Sequence, residues 1–322
     1  MPEAPSFWSH DGVLAHVLSP LSAVGAALTA RRVARPGWQA PVPVFCCGNV
    51  TVGGAGKTTL VLDLARRLKD RGRAVHVLLR GYGGSARGLY GVAQDDPAAL
   101  VGDEALLLAA VAPAWISADR AASARAAVAA GADVLLMDDG LQNPTLRKSL
   151  SILVVDGGTG FGNGRVLPAG PLREPVGVAA ARCQAAVLIG SDVTGALSRL
   201  PPKLQVLRAS LVQDASIGAL AGKRVLAFAG IAIPDKFFAP LRQAGAVVAA
   251  ARAFPDHHPY TARDLEALQS QADALGARLV TTPKDAVRLP PAVRARISVI
   301  GVGLAWERAD AIEQLLDAAL TG

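Results

Sequence analysis

Aromatic residues are scarce, at 4% of the 322 positions. Proteins that hold single-stranded nucleic acid interleave stacking platforms with their basic residues, so this shortage, with arginines spread along the chain rather than clustered, excludes a nucleic-acid partner. Cysteine is nearly absent too. Of the three, Cys46 and Cys47 are adjacent in an apolar run and Cys183 stands alone, so there is neither a CxxC pair nor a Cys/His zinc spacing. They read as small hydrophobes in a reducing cytosol. Charged residues make up 18% against 51% hydrophobic ones. That balance excludes a disordered chain and, with the positive mean hydropathy, points toward lipid. Acidic residues are in the minority: the net charge is +7 and the isoelectric point near 9.7, which favours an anionic partner such as phosphate or the acidic face of a bilayer.

Charge is missing altogether from residues 12–30, a stretch of about the length that a transmembrane helix needs, although His16, Ser19, Pro20 and Ser22 interrupt its apolar character. Arg31, Arg32 and Arg35 follow at once. A secretory signal carries its positive charge ahead of the apolar segment, whereas here Glu3 and Asp11 precede it and no Lys or Arg does. We expect an N-terminal membrane-associated helix within residues 1–35, spanning the bilayer or lying on it, with the arginine side in the cytoplasm. An ordinary buried helix is the remaining option.

What the chain does contain is a phosphate-binding pattern. An apolar run at 43–47 ends at Gly48-Asn49. Thr51-Val52-Gly53-Gly54-Ala55-Gly56-Lys57-Thr58-Thr59 follows, and then a helical pattern through Leu60, Leu64 and Leu68. That is strand, glycine loop, helix. Glycines let backbone N–H groups converge on phosphate oxygens, the helix N-terminus favours negative charge, Lys57 reaches the β- and γ-phosphates, and Thr58 can hold Mg2+. The strict pattern G-x-x-x-x-G-K-[ST] wants glycine where Thr51 stands. The candidate nucleotide-binding residues are therefore Thr51, Gly53, Gly54, Ala55, Gly56, Lys57, Thr58 and Thr59.

A second apolar run, at 134–137, ends in Asp138-Asp139, the form of a strand whose terminal carboxylate binds Mg2+ directly or through water. Asp103-Glu104 opens a further apolar helical segment, where acidic residues also serve simply to start a helix. Arg173 lies in a glycine- and proline-rich loop at 157–175, and Arg80 stands beside the turn at 81–84. Both are candidates for gripping a substrate phosphate, because a guanidinium forms paired hydrogen bonds with such groups.

Strand candidates at 42–47, 74–79, 114–117, 133–137, 152–155 and 185–189 alternate with helical stretches. This predicts an α/β fold, a mostly parallel sheet with flanking helices as in P-loop NTPases. After Gly222 the pattern restarts, with strands at 224–229, 247–251 and 279–282 and helices near 235–243 and 262–275. The expected division is a membrane-associated helix at 1–35, a P-loop domain at 36–221 and a smaller α/β domain at 222–322.

Beside the segment 48–58, the chain carries Arg80-Gly81-Tyr82-Gly83-Gly84, Gly102-Asp103-Glu104 and Asp138-Asp139-Gly140-Leu141-Gln142. Phe161-Gly162-Asn163-Gly164, the run 167–174, Phe254-Pro255-Asp256-His257-His258-Pro259-Tyr260 and Thr282-Pro283-Lys284-Asp285-Ala286-Val287 follow in order. In combination these strings resemble the tetraacyldisaccharide 4'-kinases of lipid A synthesis over nearly the whole chain, a family in which threonine at position 51 is normal.

The resemblance implies ATP and Mg2+ as cofactors, and phosphorylation of the 4'-hydroxyl of a tetraacyldisaccharide 1-phosphate. It places the work at the cytoplasmic face of a bacterial inner membrane, with no obligate protein partner. It also implies roles: Asp103 as the base that accepts the hydroxyl proton, oriented by His258 in preference to His257, and Lys57 at the transferred phosphate. Glu104, Asp138 and Asp139 would join Thr58 around Mg2+ and its waters, and Arg80, Gln142, Asn143, Asn163 and Arg173 would face substrate. The family string reads DDGxQH, and Asn143 stands where its histidine is expected. Asparagine hydrogen-bonds but does not titrate near pH 7.

Two other readings compete. A P-loop ATPase switch or metal-insertion chaperone needs no acceptor site, so Asp103 and His258 would be dispensable in it. A membrane-tethered nucleotide-binding scaffold would do no chemistry at all. His257-His258 as a metal pair lacks further ligands.

Overall fold

In a computed structural model, residues 5–321 are described; the first four positions of the expected 1–35 segment lie outside the described residues. Nine strands form the larger sheet: β1 (Val44–Gly48), β2 (Val75–Leu79), β3 (Tyr90–Gly91), β4 (Ala114–Ile116), β5 (Val134–Asp138), β6 (Leu150–Asp156), β7 (Ala185–Ile189), β8 (Gln205–Gln213) and, from the far end of the chain, β13 (Val302–Trp306). Their order is β13-β8-β7-β6-β1-β5-β2-β4-β3. All neighbours are parallel except at the two edges, where β3 runs against β4 and β13 against β8. Strands β1, β2, β5 and β7 are buried along their whole length. A parallel sheet covered on both faces demands this, and it is why they read as continuous apolar runs rather than alternations.

Helix Lys57–Asp70 covers one face with Leu60, Val61, Leu64, Ala65 and Leu68, residues that one helical stripe brings together. The opposite face packs Leu141, Leu146, Phe161 and Leu172. Strand β1 lies between β5 and β6, so the chain reverses its direction of strand addition around β1. The crevice beyond the carboxyl ends of these strands is where open α/β sheets bind ligands.

The smaller sheet has four parallel strands, β10 (Val247–Ala253), β9 (Arg224–Ala229), β11 (Arg278–Thr281) and β12 (Ser298–Val299), in that order. Helices Asp235–Gln243 and Ala262–Ala274 bury Phe237, Phe238, Leu241 and Leu268 against it. Strands and helices of this unit fall where the sequence pattern predicts them, but its C-terminal boundary does not. The expected domain 222–322 is corrected: from Val302 the chain returns to the larger unit as β13, and helix Ala309–Thr321 buries Ile312 and Leu316 in the larger core. Glu313 receives Arg67 and Arg71, and Trp306 Nε1 donates to Asp63 Oδ2 at 3.0 Å. The smaller unit is thus inserted, and its two connections meet, with Gly301 N donating to Asp214 Oδ2 at 2.6 Å and Asp214 N to Gly301 O at 3.0 Å.

The N-terminal helix runs Val13–Val33. One side docks on the loop before β7: Ser22 Oγ donates to Val166 O at 2.6 Å and accepts from Ala169 N at 3.1 Å, while Arg165 pairs with Asp11 at 2.6 Å. The other side leaves Leu14, Val17, Leu21, Val24 and Leu28 exposed, at alternating spacings of three and four that make one continuous apolar stripe. It is the single described helix long and apolar enough to cross a membrane.

Because Leu316 lies wholly inside the larger core, Leu316→Ala is expected to cost about 2–5 kcal/mol in urea denaturation. A change within about 0.5 kcal/mol, the range of an ordinary surface substitution, would mean that the returning helix does not belong to that core.

Candidate active site

The phosphate loop is braced from below by Asn49, which is buried at the end of β1. Its Nδ2 donates to Thr51 Oγ1 at 2.9 Å, and its Oδ1 accepts from Lys57 Nζ at 3.1 Å. Thr51 forms a bridge to Leu172, and Val52 N donates to Pro171 O at 2.9 Å, so Thr51 sits in extended backbone where a side chain is tolerated. Gly53 and Gly56 have φ of +113° and +79°, conformations that favour glycine. At Gly56 a Cβ would also stand 2.7 Å from Ile189 Cδ1. Gly54 and the buried Ala55 complete the loop, and Thr58 and Thr59 lie in the first turn of helix Lys57–Asp70. No side chain caps that helix, which leaves its first N–H groups for an anion.

β5 pairs with β1 in the register Cys47↔Asp138, which delivers Asp138 to the loop: Thr58 Oγ1 donates to its Oδ2 at 3.2 Å. Its Oδ1 is buried without a partner. Burial pushes the Asp138 carboxyl up to about 7, and the nearby Glu104 and Asp139 carboxylates add to this against Lys57 and Thr58. An orphaned acceptor amid excess negative charge is what a divalent cation would relieve. Among the described residues no three His, Cys, Asp or Glu side chains converge as a cage. A buried carboxylate with one unpartnered oxygen beside a threonine hydroxyl suits Mg2+, which takes one or two protein carboxylates and completes its shell with water and phosphate oxygens. Asp139 holds the left-handed conformation at φ +52°. Its carboxylate accepts from Arg173 Nη1 at 2.8 and 2.9 Å and lies 3.8 Å from Lys57 Nζ.

Asp103 approaches from the neighbouring edge. It follows Gly102, whose φ is +88° and where a Cβ would stand 2.3 Å from Tyr82 O, so only glycine makes this turn. Its side chain makes no capping bond. Instead Oδ2 accepts from His257 Nδ1 and from Arg288 Nε, both at 2.8 Å. The expected partner, His258, is corrected to His257. A left-handed backbone at His257, φ +59°, swings that ring toward Asp103. His258 stacks on Phe254 at 4.8 Å and bonds Asp264 Oδ2 at 3.1 Å, and so is tied to the smaller unit's own core. Burial raises the Asp103 carboxyl, but His257 and Arg288 together outweigh it and hold it below the usual carboxylate range.

Residues 14–321 match the family model described as tetraacyldisaccharide-1-P 4'-kinase. The chain belongs to the tetraacyldisaccharide 4'-kinase family. A relative of that name from Gluconacetobacter diazotrophicus is 60% identical over 320 residues, 98% of this chain and 97% of the relative. One from Gluconobacter oxydans is 52% identical, covering 97% of each chain. The crystal structure of the "apo" form of LpxK from Aquifex aeolicus in complex with ATP superposes with a TM-score of 0.76 at 26% identity, over 96% of this chain and 100% of that one.

Several positions expected to face substrate in this 4'-kinase family member serve the framework instead. Buried Gln142 donates to Asn49 O at 3.0 Å and to Glu174 Oε1 at 2.9 Å. Asn143, the departure from the family string, closes a turn: its Oδ1 accepts from Thr145 N at 3.0 Å and Oγ1 at 2.8 Å, and its Nδ2 reaches Ala118 O. Asn163 spends its amide on Phe7 O and Ala169 O and its Oδ1 on Arg165 N, which ties the N-terminal segment down. Arg173 is engaged by Asp139 rather than standing free, whereas Arg80 is exposed at the end of β2 and forms no hydrogen bond or ion pair among the described residues. Sequence reasoning missed Arg288, one residue beyond the string 282–287.

The hydrogen bond to Asp103 raises the His257 pKa above its ordinary 6.5. The charged pair therefore contributes stability that is fully present below pH ~6.5 and is lost as pH rises through the folded value. Histidine NMR titration should give His257 a midpoint above 6.5, and Asp103→Asn should lower it; an unmoved midpoint would show that the pair does not form in solution.

Proposed function

We propose that this chain transfers the γ-phosphoryl group of ATP to the 4'-hydroxyl of a tetraacyldisaccharide 1-phosphate at the cytoplasmic face of the bacterial inner membrane. The observation that carries this reading is the Asp103–His257 pair, adjacent in the chain to Glu104, whose charge acts on Asp138 beside the phosphate loop; it supplies a proton acceptor that an ATPase switch, metal-insertion chaperone or scaffold does not require. Backbone N–H groups of the loop and Lys57 hold the phosphates in line. Thr58 and Asp138, with Glu104 and Asp139 nearby, would hold Mg2+, which would supply charge neutralisation on the phosphates. Asp103 accepts the acceptor's proton on Oδ1 as the oxygen attacks phosphorus and the bond to the ADP oxygen breaks. His257 meanwhile keeps Oδ2 fixed. Arg173 steers Asp139, and Arg80, unpaired among the described residues, is a cation free to meet a substrate phosphate.

The N-terminal helix brings this site to the lipid. It is bonded to the catalytic unit through Asp11, Ser19 and Ser22, so it lies along the protein with its apolar stripe in the bilayer interface, and Arg31, Arg32 and Arg35 face anionic headgroups.

In a detergent assay with labelled ATP and the tetraacyldisaccharide 1-phosphate, Asp103→Asn is expected to lower kcat by about 10^2–10^4-fold with little change in the KM for ATP, and Lys57→Ala to abolish transfer. ATP hydrolysis by the wild type without a labelled lipid would refute the kinase reading. In vesicle flotation, Leu21→Glu with Val24→Glu should release the protein from membranes; unchanged flotation would remove the stripe as the contact.

A further inference from the structure

The base is held by two side chains of the smaller unit, and the histidine is the looser one. His257 is 47% exposed and sits in a loop. Arg288 is 6% exposed; besides bonding Asp103 it donates from Nη1 to Asp285 Oδ1 and to Gly230 O, both at 3.2 Å. Asp285 is wholly buried and is itself fixed by the Tyr260 hydroxyl at 2.7 Å, Gly230 N at 2.8 Å and the Thr282 hydroxyl at 2.6 Å. Arg288 therefore has one anchored end in the smaller unit and one end on the base.

Both donors use the same oxygen of Asp103. Its Oδ1 accepts no hydrogen bond from any described residue, and a general base needs one oxygen free within reach of its proton. Arg288 Nη2 is buried without a partner, and buried donors are seldom left so. An arginine present only for packing would turn to satisfy that nitrogen; here Asp103 and Asp285 together dictate the plane of the guanidinium.

We propose that Arg288 is a positioning residue for phosphoryl transfer: it fixes the Asp103 carboxylate with Oδ1 toward the acceptor hydroxyl, so that the base is aligned only when the smaller unit is seated. The inference rests on the kinase reading. Removing Arg288 also leaves two buried carboxylates without their shared cation, which is destabilising on its own, so the test must separate alignment from folding.

The full-length protein and its Arg288→Met and Arg288→Lys variants are compared for kcat and for the KM of ATP and of lipid, each also in an Asp103→Asn background, with thermal unfolding followed in parallel. Arg288→Met should lower kcat about 100-fold while both KM values stay within about twofold. In the Asp103→Asn background its further effect should be under about threefold, since its target is gone. Arg288→Lys, which keeps the charge and one donor, should recover part of the loss. Equal losses in both backgrounds, a raised KM with kcat intact, or full activity in Arg288→Met would each overturn the proposal. Should Arg288→Met fail to fold, Arg288→Lys carries the same comparison by the same criteria. A wild type that phosphorylates no lipid overturns the kinase reading and this inference with it; a wild type that does so, matched by the variant, overturns this inference alone.

Discussion

The register of β5 against β1 is the constraint on which the chemistry depends. Pairing Cys47 with Asp138 sets a carboxylate beside the loop that leaves β1, and a slip of one residue would turn it to the other face of the sheet. That register is secured by strands buried on both faces, where every apolar side chain has a fixed neighbour. Burial makes the same carboxylate costly to ionise, with Glu104 and Asp139 adding to the cost. The fold thus maintains an electrostatic deficit at the point where a cation and a polyphosphate would meet.

The second half of the site comes from an inserted unit. Two chain connections, joined at Asp214 and Gly301, lead out of the larger sheet and back, and β13 with the final helix closes the return. Asp103 belongs to the larger unit, but the side chains bonded to it, His257 and Arg288, arrive from the smaller one. The cluster around Asp103 is therefore completed only where the two units meet, whereas the phosphate loop is complete within one.

The N-terminal helix is fastened to the larger unit by polar contacts. Asn163, through Phe7, and Arg165 and Ser22, through the helix itself, join the N-terminal segment to the loop that carries Arg173 and Glu174. The helix is thereby tied to the segment that ends at the phosphate loop, and its apolar stripe faces away from the protein.

Much of this was legible in the chain itself. Continuous apolar runs ending in Gly48-Asn49 or Asp138-Asp139 mark parallel strands and their functional ends, because burial on both faces and phosphate binding each impose a local residue pattern. The inserted unit's strands and helices were readable for the same reason. Tertiary structure alone decided that β13 and the last helix rejoin the larger core, since a short edge strand such as Val302–Trp306 carries little local signal. It also decided that His257 rather than His258 meets Asp103, and that Asn143 closes a turn. Adjacent histidines are chemically identical and nearly coincident in the chain; a left-handed backbone and a bond to a carboxylate far away in sequence at His257, against a local stack on Phe254 at His258, set them apart.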